Sequence, residues 1–482
     1  MLNKKTKLIC TIGPATNDKG IAIKMLKTGL NVARLNFSHG DFKEQQSKVN
    51  NYRQASKETG IPVAFMQDLA GPKIRIGTFG EAKDQNTTIV LKVGAKFTIT
   101  TDDVIGDETK VSVNYPQFAK EVKAGEKVFL QDGKFRLEVL EVKGNDVICK
   151  VLGGGEIRGR RGVNLPDTEL SVPALTEKDI KDLEFGLKNK VEFVCLSFVR
   201  RPEDVVMLRD ILTKRKSAAK LFIKIETPQA MRRLGEIIPL VDGIMVGRGD
   251  LSIEMPRWSL AESQKLMISE AKRAGKLVIL ATNVMESMIH NPLPTAAEVT
   301  DATNGIIDGA DLIMTSEETA MGKYPVETVE AMSKIAEYTE NSEFLSTQIG
   351  WLSLMEHDYE DERNVSAVES IAKAAVSTAE RIDAKLIVNF TVAGFSTNWI
   401  SSYKPSCPII AFTQFEVTAK QLLATWAVTP VLTKKFKLMN DVIKDAKSYL
   451  VKNKLVTKGD RVVFVHGHLF PAVSDAVSIE TF

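Results

Sequence analysis

The sequence predicts an α/β fold: a (β/α)8 barrel with an inserted all-β lid domain and a C-terminal α/β domain. Short apolar runs such as "KLICTIG", "EFVCLSF" and "KLVILAT" alternate with longer amphipathic segments such as "PEDVVMLRDILTKRK". Strands that are apolar on both faces and alternate with helices indicate a parallel sheet. Roughly eight such units close a barrel, whereas an open doubly wound sheet usually stops sooner.

The barrel pattern is interrupted once and ends well before the C-terminus. From about residue 77 to 171, period-two alternation and turn signals at "QDG" and "KGND" predict an all-β insertion after the third barrel strand. The acidic run "EHDYEDERN" marks a second boundary, and the segments after it suit an open α/β sheet. The predicted domains are the catalytic barrel over 1–70 and 171–345, an inserted β-barrel lid over 71–170, and a C-terminal α/β regulatory domain over 346–482.

Composition argues against several classes of protein. Among 482 residues, Lys+Arg number 64 and Asp+Glu 61, a net charge of +3 that is too small to favour nucleic acid or a membrane as the main partner. The N-terminus lacks a signal-peptide pattern and no apolar stretch is long enough to span a bilayer, so we expect a cytoplasmic protein. The scattered cysteines are expected to be buried thiols, and they are Cys10, Cys149, Cys195 and Cys407.

Two charged residues stand in a run that otherwise reads as a buried strand. Lys224 and Glu226 of "KLFIKIE" are two residues apart, so both side chains point to one face. Buried charges are usually paired, metal-bound or functional, and a simple Lys-Glu ion pair is the plain structural explanation. The carboxyl ends of the other strands also carry polar groups, where active groups of such barrels gather. These are Arg34, Asn36, Ser38, Asp68, Lys73, Arg75, Asp250, Thr282, Ser316 and Glu318.

The chemistry of these groups indicates a phosphate and metal site. Carboxylates with no histidine or cysteine nearby are hard oxygen ligands, which suit Mg²⁺ or Mn²⁺ better than zinc. A lysine and two arginines beside such a metal are equipped to stabilise a phosphoryl group in transfer. The sequence therefore places the Lys224 amine on phosphoryl oxygens and the Glu226 carboxylate on the cation.

Several motifs together carry a family resemblance over nearly the whole chain. They are "CTIGPAT", "NVARLNFSHG", "DLAGPKIR", "KIE", "GRGDL", "ESM" followed by "PLPT", and "DGADLIM" with "ETA" and "YPVETV". In this order and spacing the sequence resembles the pyruvate kinase family, in the bacterial type with a lysine in the "GPKIR" hinge. The resemblance implies a TIM barrel, a glycolytic transfer of phosphate from phosphoenolpyruvate to ADP giving pyruvate and ATP, and a homotetramer.

The resemblance also implies a role for each matching residue. Lys224 would stabilise the phosphoryl group, and Glu226 and Asp250 would ligate the divalent metal. The Gly249 and Asp250 amides would receive the substrate carboxylate at a helix start. Arg34 would contact substrate and nucleotide phosphates. The remaining nucleotide contacts would be Arg75 and Arg201.

Three further residues would act at the enolate. By the same resemblance, Thr282 would lie near the enolate carbon, and Ser316 and Glu318 would belong to the polar network that delivers its proton. The β insertion would close as a lid that excludes water.

One segment argues against a potassium requirement. Family members that bind a monovalent cation typically read "DTKGPEIR", whereas this chain reads "DLAGPKIR". Leu69 removes a hydroxyl ligand, and the Lys73 ammonium can replace the ion and repel it. The plain alternative is that Lys73 is only a solvated hinge residue. We expect the monovalent-cation site to be unoccupied, and its residues would be Asn36, Ser38, Asp68, Leu69 and Lys73.

Departures from the family pattern keep two alternatives open. Ser252, Asn283, Ala296 and Glu317 stand where the family usually has other residues, and an extra carboxylate at Glu317 would repel anionic substrates or recruit a cation. One alternative is a metal-dependent lyase or aldolase that stabilises a pyruvate enolate on the same barrel. The other is a catalytically weak regulatory paralogue.

Overall fold

The computed structural model describes residues 4–80, 87–349, 365–434, 439–467 and 475–482. The strands in these ranges are β1 (Lys7–Thr11), β2 (Val32–Asn36), β3 (Ala64–Asp68), β4 (Thr88–Leu91), β5 (Lys96–Thr100), β6 (Lys110–Ser112), β7 (Lys127–Leu130), β8 (Phe135–Lys143), β9 (Asp146–Gly153), β10 (Gly155–Arg158), β11 (Val163–Asn164), β12 (Phe193–Leu196), β13 (Lys220–Ile225), β14 (Gly243–Gly247), β15 (Leu277–Ala281), β16 (Leu312–Thr315), β17 (Leu386–Phe390), β18 (Ile409–Thr413), β19 (Val428–Leu432), β20 (Arg461–His466) and β21 (Ala476–Thr481).

The α-helices in the same ranges lie between these strands. They are α1 (Lys19–Thr28), α2 (Phe42–Thr59), α3 (Phe118–Glu121), α4 (Glu177–Lys188), α5 (Pro202–Lys214), α6 (Pro228–Arg232), α7 (Leu234–Ile237), α8 (Arg248–Glu254), α9 (Leu260–Arg273), α10 (Ala296–Ile307), α11 (Glu317–Ala320), α12 (Pro325–Asn341), α13 (Glu343–Ser346), α14 (Ala367–Arg381), α15 (Phe395–Ser402), α16 (Glu416–Gln421) and α17 (Met439–Lys452). Among these described helices, none is long and apolar enough to cross a membrane.

A closed barrel of parallel strands forms the centre of the molecule. Its order is β1-β2-β3-β12-β13-β14-β15-β16, and β16 pairs with β1 to close it. Alternate residues of each strand pack on opposite faces, because successive side chains of a strand point opposite ways. Ile9 belongs to the cluster inside the barrel, whereas Leu8 and Cys10 belong to the cluster under the surrounding helices. The predicted (β/α)8 barrel is confirmed.

Helix starts follow from local sequence. Thr176 and Thr295 cap α4 and α10, and each forms a reciprocal capping box with the acidic residue three positions later. Such caps satisfy backbone N–H groups that have no partner within the helix. They fix where the helices following the βα loops begin, and so which residues remain in the loops.

The insertion lies between β3 and β12, which pair directly with each other. Its strands form a six-stranded sheet in the order β11-β7-β8-β9-β5-β6 and a two-stranded sheet of β10 and β4. It has its own apolar core, which includes Phe97, Leu137 and Val151. The predicted β content is therefore present, together with the short helix α3, while the β-barrel form of the insertion and the limits at 70, 171 and 345 remain predictions.

The C-terminal part is an open sheet in the order β19-β18-β17-β20-β21, in which only β21 runs antiparallel to its neighbour. This confirms the predicted C-terminal α/β domain. All the cysteines named above are buried and free, as expected.

A buried set of charges joins the C-terminal domain to the barrel floor. Asp311, just before β16, accepts hydrogen bonds from Lys272, from the Val278 amide at 2.8 Å and from Lys404 at 2.8 Å. We call Lys272, Asp311 and Lys404 the lower charge network. Their side chains are 1%, 0% and 0% exposed. Although burial by itself raises the pKa of Asp311, the two ammonium groups hold that pKa below its usual value.

Candidate active site

Four charged side chains meet at the carboxyl ends of β2, β3 and β13. The Arg34 guanidinium binds Asp68 Oδ2 through Nε at 2.7 Å and Nη2 at 2.5 Å. The other oxygen of that carboxylate lies 3.1 Å from Lys224 Nζ, which lies 3.7 Å from Glu226 Oε1. We call Arg34, Asp68, Lys224 and Glu226 the upper charge network. Lys224 and Glu226 thus share one face, as the period of the strand predicts.

The backbone around Glu226 is shaped to receive its carboxylate. The Phe198 N–H, at φ 55°, donates to Glu226 Oε2 at 3.1 Å. On the other side, a Cβ at Gly247 would lie 2.4 Å from Glu226 Cγ, so only glycine fits there. These contacts orient the carboxylate from both neighbouring strands. Phe198, which follows β12, was not among the predicted site residues, because an apolar side chain gives no sign that its backbone N–H binds a carboxylate.

The side chains of the upper charge network differ in the direction in which their pKa values are shifted. Burial by itself lowers the pKa of Lys224, but Asp68 and Glu226 outweigh it and raise that pKa above its usual value. Burial raises the pKa of Glu226 to about 7, Lys224 opposes the rise and Asp250 adds to it. Asp68 has its pKa held below the usual value, because Lys224 and Arg34 outweigh the effect of burial. Glu226 is therefore the carboxylate of the network that is least compensated.

The turn from β14 into α8 brings Gly249 and Asp250 beside Thr282. A Cβ at Gly249 would lie 2.8 Å from Thr282 Cγ2, so the two residues are in close contact. Thr282 has φ 72°, a left-handed conformation that is rare for a β-branched residue. Such strained backbone is found mainly at functional sites, where the surrounding structure maintains it.

Arg248 maintains this arrangement and was also missed. Its guanidinium donates to the carbonyl oxygens of Ala281 at 3.1 Å and Thr282 at 2.7 Å, and it pairs with Asp301 at 2.7 Å. The buried side chain therefore ties the start of α8 to the end of β15. Its position inside "GRGDL", next to Gly249 and Asp250, is the sequence signal for this role.

A cleft of about 270 Å³ separates the barrel from the insertion. Asp250 and Glu254 contribute acidic groups to its lining, and the cationic lining residues are Lys73, Arg75, Arg161 and Arg200. Lys73 stays solvent-accessible, and its partial burial and the charge of Lys224 lower its pKa, whereas Asp250 raises it. Arg161 was not predicted, and its buried Nε has no partner within the described residues.

The remaining predicted cation lies elsewhere. Arg201 caps α5 and has Asp204 Oδ1 at 3.8 Å from its Nε. It is absent from the described lining of the cleft, where its neighbour Arg200 is present. Arg75 does line the cleft, and its Nη1 donates to the Arg160 carbonyl at 2.9 Å.

Glu318 and Ser316 lie together at the end of β16. The buried Glu318 carboxylate accepts the Ser316 N–H at 2.6 Å and the Met285 N–H at 3.2 Å. Burial raises its pKa, and these hydrogen bonds oppose the rise. Glu318 therefore ties the turn that carries Ser316 to the loop after β15. Glu317, the unexpected carboxylate, is exposed.

Three residues of the predicted monovalent-cation site already have partners within the protein. Asn36 Oδ1 accepts the Ser38 N–H at 3.0 Å. Leu69 is buried in the core under the helices, and its carbonyl accepts the Ser197 hydroxyl at 2.6 Å. Asp68 is engaged by Arg34 and Lys224, as described above.

The other residues that depart from the family pattern affect only their immediate surroundings. The Ser252 hydroxyl donates to the Gly249 carbonyl at 2.8 Å, which adds a hydrogen bond within α8. Asn283 follows Thr282 with φ 57° and is exposed. Ala296 is the exposed first residue of α10. None of these three introduces a charge at the site.

The carboxylates of the site are suited to a divalent ion that the substrate would also help to hold. In the described part of the chain, no group of three or more His, Cys, Asp or Glu side chains is placed to hold a metal. Burial raises the pKa of Glu226 and Asp250 adds to the rise, and a bound cation would favour the charged carboxylate. Mg²⁺ is commonly bound through one or two carboxylates, with substrate phosphates and water completing the shell.

The chain is similar to known proteins over nearly its whole length. Residues 3–329 match the model of the pyruvate kinase barrel domain, and 369–477 match that of the pyruvate kinase alpha/beta domain. A pyruvate kinase of Thermotoga maritima is 40% identical over 465 residues, with 96% of each chain covered. One of Clostridium perfringens is 37% identical, also with 96% of each covered. The crystal structure of a pyruvate kinase from Cryptosporidium parvum superposes with a TM-score of 0.93 at 34% identity, covering 99% of this chain and 96% of that one.

Proposed function

The chain belongs to the pyruvate kinase family, and on that premise we propose that it transfers the phosphoryl group of phosphoenolpyruvate to ADP in the cytoplasm, giving pyruvate and ATP. The observation that carries the proposal is the Lys224 ammonium at the barrel mouth, held 3.1 Å from Asp68 and 3.7 Å from Glu226. Phosphoryl transfer depends mainly on positioning and on stabilisation of charge, and this site offers a fixed cation beside carboxylates.

We assign the phosphoryl group to Lys224 and the metal to Glu226 and Asp250. When bound there, Mg²⁺ or Mn²⁺ would neutralise charge on the phosphoryl oxygens. Lys224 donates to those oxygens, because its pKa lies above its usual value and it stays protonated. Asp68 keeps the amine in place without titrating near neutral pH, since its own pKa is held low.

The substrate carboxylate is assigned to the amides of Gly249 and Asp250. The lack of a side chain at Gly249 allows close approach, and Thr282 packs against it at the position proposed for the enolate carbon. We propose that Ser316 belongs to the proton network and that Glu318 positions it, since both Glu318 oxygens already accept backbone N–H groups.

Phosphates of the substrates are assigned to cations of the barrel and of the insertion. Arg34 is buried at the end of β2 and is absent from the described lining of the cleft, whereas Arg75 and Arg161 of the insertion line it. Closure of the insertion would bring the latter two onto the nucleotide and exclude water. The Arg201 assignment has less support, because Arg200 and not Arg201 lines the cleft.

The test is a coupled assay of the purified chain with phosphoenolpyruvate, ADP and Mg²⁺. We expect ATP and pyruvate in equal amounts, and no turnover when the metal is chelated. Absence of ATP formation with all three present would reject the proposed function.

We also propose that the enzyme does not need potassium. Lys73 lines the cleft near Lys224, Asp250 and Glu226, so it supplies a positive charge there. The candidate ligands Asn36 and Asp68 are engaged in hydrogen bonds within the protein. Turnover at saturating Mg²⁺ in tetramethylammonium buffer should change less than tenfold when KCl is added. Lys73→Glu combined with Leu69→Thr should create a potassium requirement, and tenfold activation of the unaltered chain would contradict the proposal.

A homotetramer is proposed as the assembly. The barrel leaves large apolar side chains in solvent, among them Trp258 at 89% and Leu293 at 75% exposure. Contact with other copies would cover them, as is expected of exposed apolar surface. Light scattering coupled to size exclusion should give four times the mass of the 53.2 kDa chain, whereas a monomer would reject this assembly.

A further inference from the structure

The insertion contacts the barrel at the last residues of α8. Asn164 of β11 donates its side-chain N–H to Glu254 Oε1 at 3.0 Å, and Glu254 is the final residue of α8. One residue earlier, the Ile253 side chain lies beneath the turn between β7 and β8, where a Cβ at Gly133 would lie 3.3 Å from Ile253 Cγ2. The strands β7 and β11 pair with each other. The β11 edge of the larger insertion sheet therefore rests on one end of α8.

The other end of α8 is anchored in the barrel. Arg248, its first residue, donates to the carbonyl oxygens of Ala281 and Thr282 and pairs with Asp301. The helix has seven residues, so it spans roughly 10 Å from Arg248 to Glu254. The anchored start limits the movement of the last turn, which gives the insertion a fixed point of contact.

The surroundings of Glu254 suit it to this contact. Burial raises the pKa of Glu254 to about 7, Asn164 and Arg200 oppose the rise, and Asp250 adds to it. The Arg200 guanidinium also donates to the Val172 carbonyl at 3.0 Å, on the segment by which the insertion returns to the barrel. Hydrogen bonds to an ionised carboxylate are stronger than those between neutral groups. Glu254 keeps Asn164 as a partner only while the insertion stays in this position.

The insertion cations assigned to the nucleotide depend on the same position. Arg75 and Arg161 line the cleft, and Arg161 comes shortly before Asn164 in the chain. Arg75 forms an antiparallel bridge with Gly162, and its guanidinium donates to the Arg160 carbonyl at 2.9 Å. A displacement of β11 would therefore move both cations together.

We infer that Asn164 and Glu254 form a latch that holds the insertion over the cleft and so positions Arg75 and Arg161 for the nucleotide. We call Asn164 and Glu254 the insertion latch. Both are positioning residues, since they act through the two arginines. The inference rests on the proposed function for the role of the nucleotide, whereas the position of the insertion can be measured without turnover. Without the hydrogen bond, a smaller fraction of the chain is competent to bind nucleotide, and the apparent affinity falls by that fraction.

Distances between two spin labels test the position of the insertion. Lys143→Cys in the insertion and Lys334→Cys on α12 replace side chains that are 66% and 72% exposed, and the native cysteines are buried. In double electron–electron resonance, Asn164→Ala should broaden the distribution of distances between the labels. The matched control is Asn145→Ala, which removes a hydrogen bond to Asp102 at 2.7 Å that lies wholly within the insertion. The control should leave the distribution unchanged.

Substitutions of Glu254 attribute the effect to the pair. Glu254→Leu removes the acceptor and should broaden the distribution as Asn164→Ala does. The double variant should be no broader than either single variant, because both changes remove the same contact. Glu254→Gln keeps an oxygen that accepts the Asn164 amide, so the label distances should match those of the unaltered chain. An unchanged distribution in Asn164→Ala, or equal broadening in Asn145→Ala, would overturn the inference.

Steady-state kinetics test the consequence for the nucleotide. We expect Asn164→Ala to raise the KM for ADP about fivefold, the effect of losing one hydrogen bond, with kcat changed by less than about twofold. The KM for phosphoenolpyruvate should change less, because Arg248 still anchors the start of α8. A merely structural role would lower the melting temperature and leave the KM for ADP unchanged, which would also overturn the inference. A chain that makes no ATP but shows the broadened distances would reject the proposed function and support the latch.

Discussion

The upper and lower charge networks are both buried, yet they differ in how completely their charges are compensated. In the lower network, Asp311 accepts hydrogen bonds on both oxygens and its pKa is held below the usual value. In the upper network, burial leaves Glu226 with a pKa of about 7, and the Lys224 side chain is 14% exposed. A closed set of buried charges serves as a structural joint between domains. An incompletely compensated set at the mouth of the barrel is suited to bind charged ligands.

Breaking the upper network at Lys224 should produce the largest effect. Lys224→Met removes the ammonium proposed to stabilise the phosphoryl group, so turnover should fall by about 10³-fold or more. The fold should survive, because Asp68 keeps its two hydrogen bonds to Arg34. Steady-state kinetics and a thermal melt measure the two quantities. Substantial retained turnover would reassign Lys224 to a structural ion pair.

Breaking the lower network at Lys404 should affect stability instead. Lys404→Met leaves Asp311 buried with one ammonium partner, and loss of a buried pair costs about 3 kcal/mol in the free energy of unfolding. Turnover of the remaining folded chain should stay within twofold, because the network lies at the other end of the barrel. Urea titration and kinetics on the same preparation test this. A large loss of turnover at unchanged stability would contradict the distinction between the networks.

Replacement of Arg248 tests whether the substrate site needs a residue that positions Thr282 and Gly249 as well as charged groups. Arg248→Lys keeps the charge but removes the fork that bonds the Ala281 and Thr282 carbonyls, so Thr282 and Gly249 should lose alignment. We expect the KM for phosphoenolpyruvate to rise about tenfold, equivalent to about 1.4 kcal/mol, with a smaller change in kcat. Lys334→Arg, on the exposed face of α12, is a control for surface lysine–arginine exchange. A purely structural role would lower the melting temperature without moving KM.

Replacement of one carboxylate in each network should change the stability of the folded chain near neutral pH in opposite directions. The folded-state pKa of Glu226, about 7, exceeds its usual value of 4.5, so the folded chain binds more protons and loses stability as pH rises through this interval. Without metal, Glu226→Gln should therefore flatten the fall in stability between pH 5 and 8. Asp311→Asn should lower stability at pH 7, because the folded pKa of Asp311 lies below 3.8. Urea midpoints in EDTA across pH 5–8 measure both, and a decrease at pH 8 for Glu226→Gln would refute the assignment.

The sequence predicted the barrel and the meeting of charged side chains at its mouth because both follow from local rules. A two-residue period places Lys224 and Glu226 on one face, and the carboxyl ends of parallel strands meet at one mouth. The hydrogen-bond partners of each charged side chain could not be predicted, because those partners are distant in the sequence. Met285 and Ser316 both donate to Glu318, and Arg248 reaches the end of the next strand. Glu317 is exposed, and its effect on anionic substrates or cations stays a prediction.

Closure of the barrel between β1 and β16 has a consequence for the order in which the chain folds during synthesis. Lys7 pairs with Leu312, so the first strand cannot find its second neighbour until about 305 further residues have been made. At ribosomal rates of about 5–20 residues per second, that takes roughly 15–60 s. The insertion faces no such delay, because all strands of its apolar core lie between residues 88 and 164. We therefore expect a nascent chain to display a folded lid on a barrel whose opposite seam is still open.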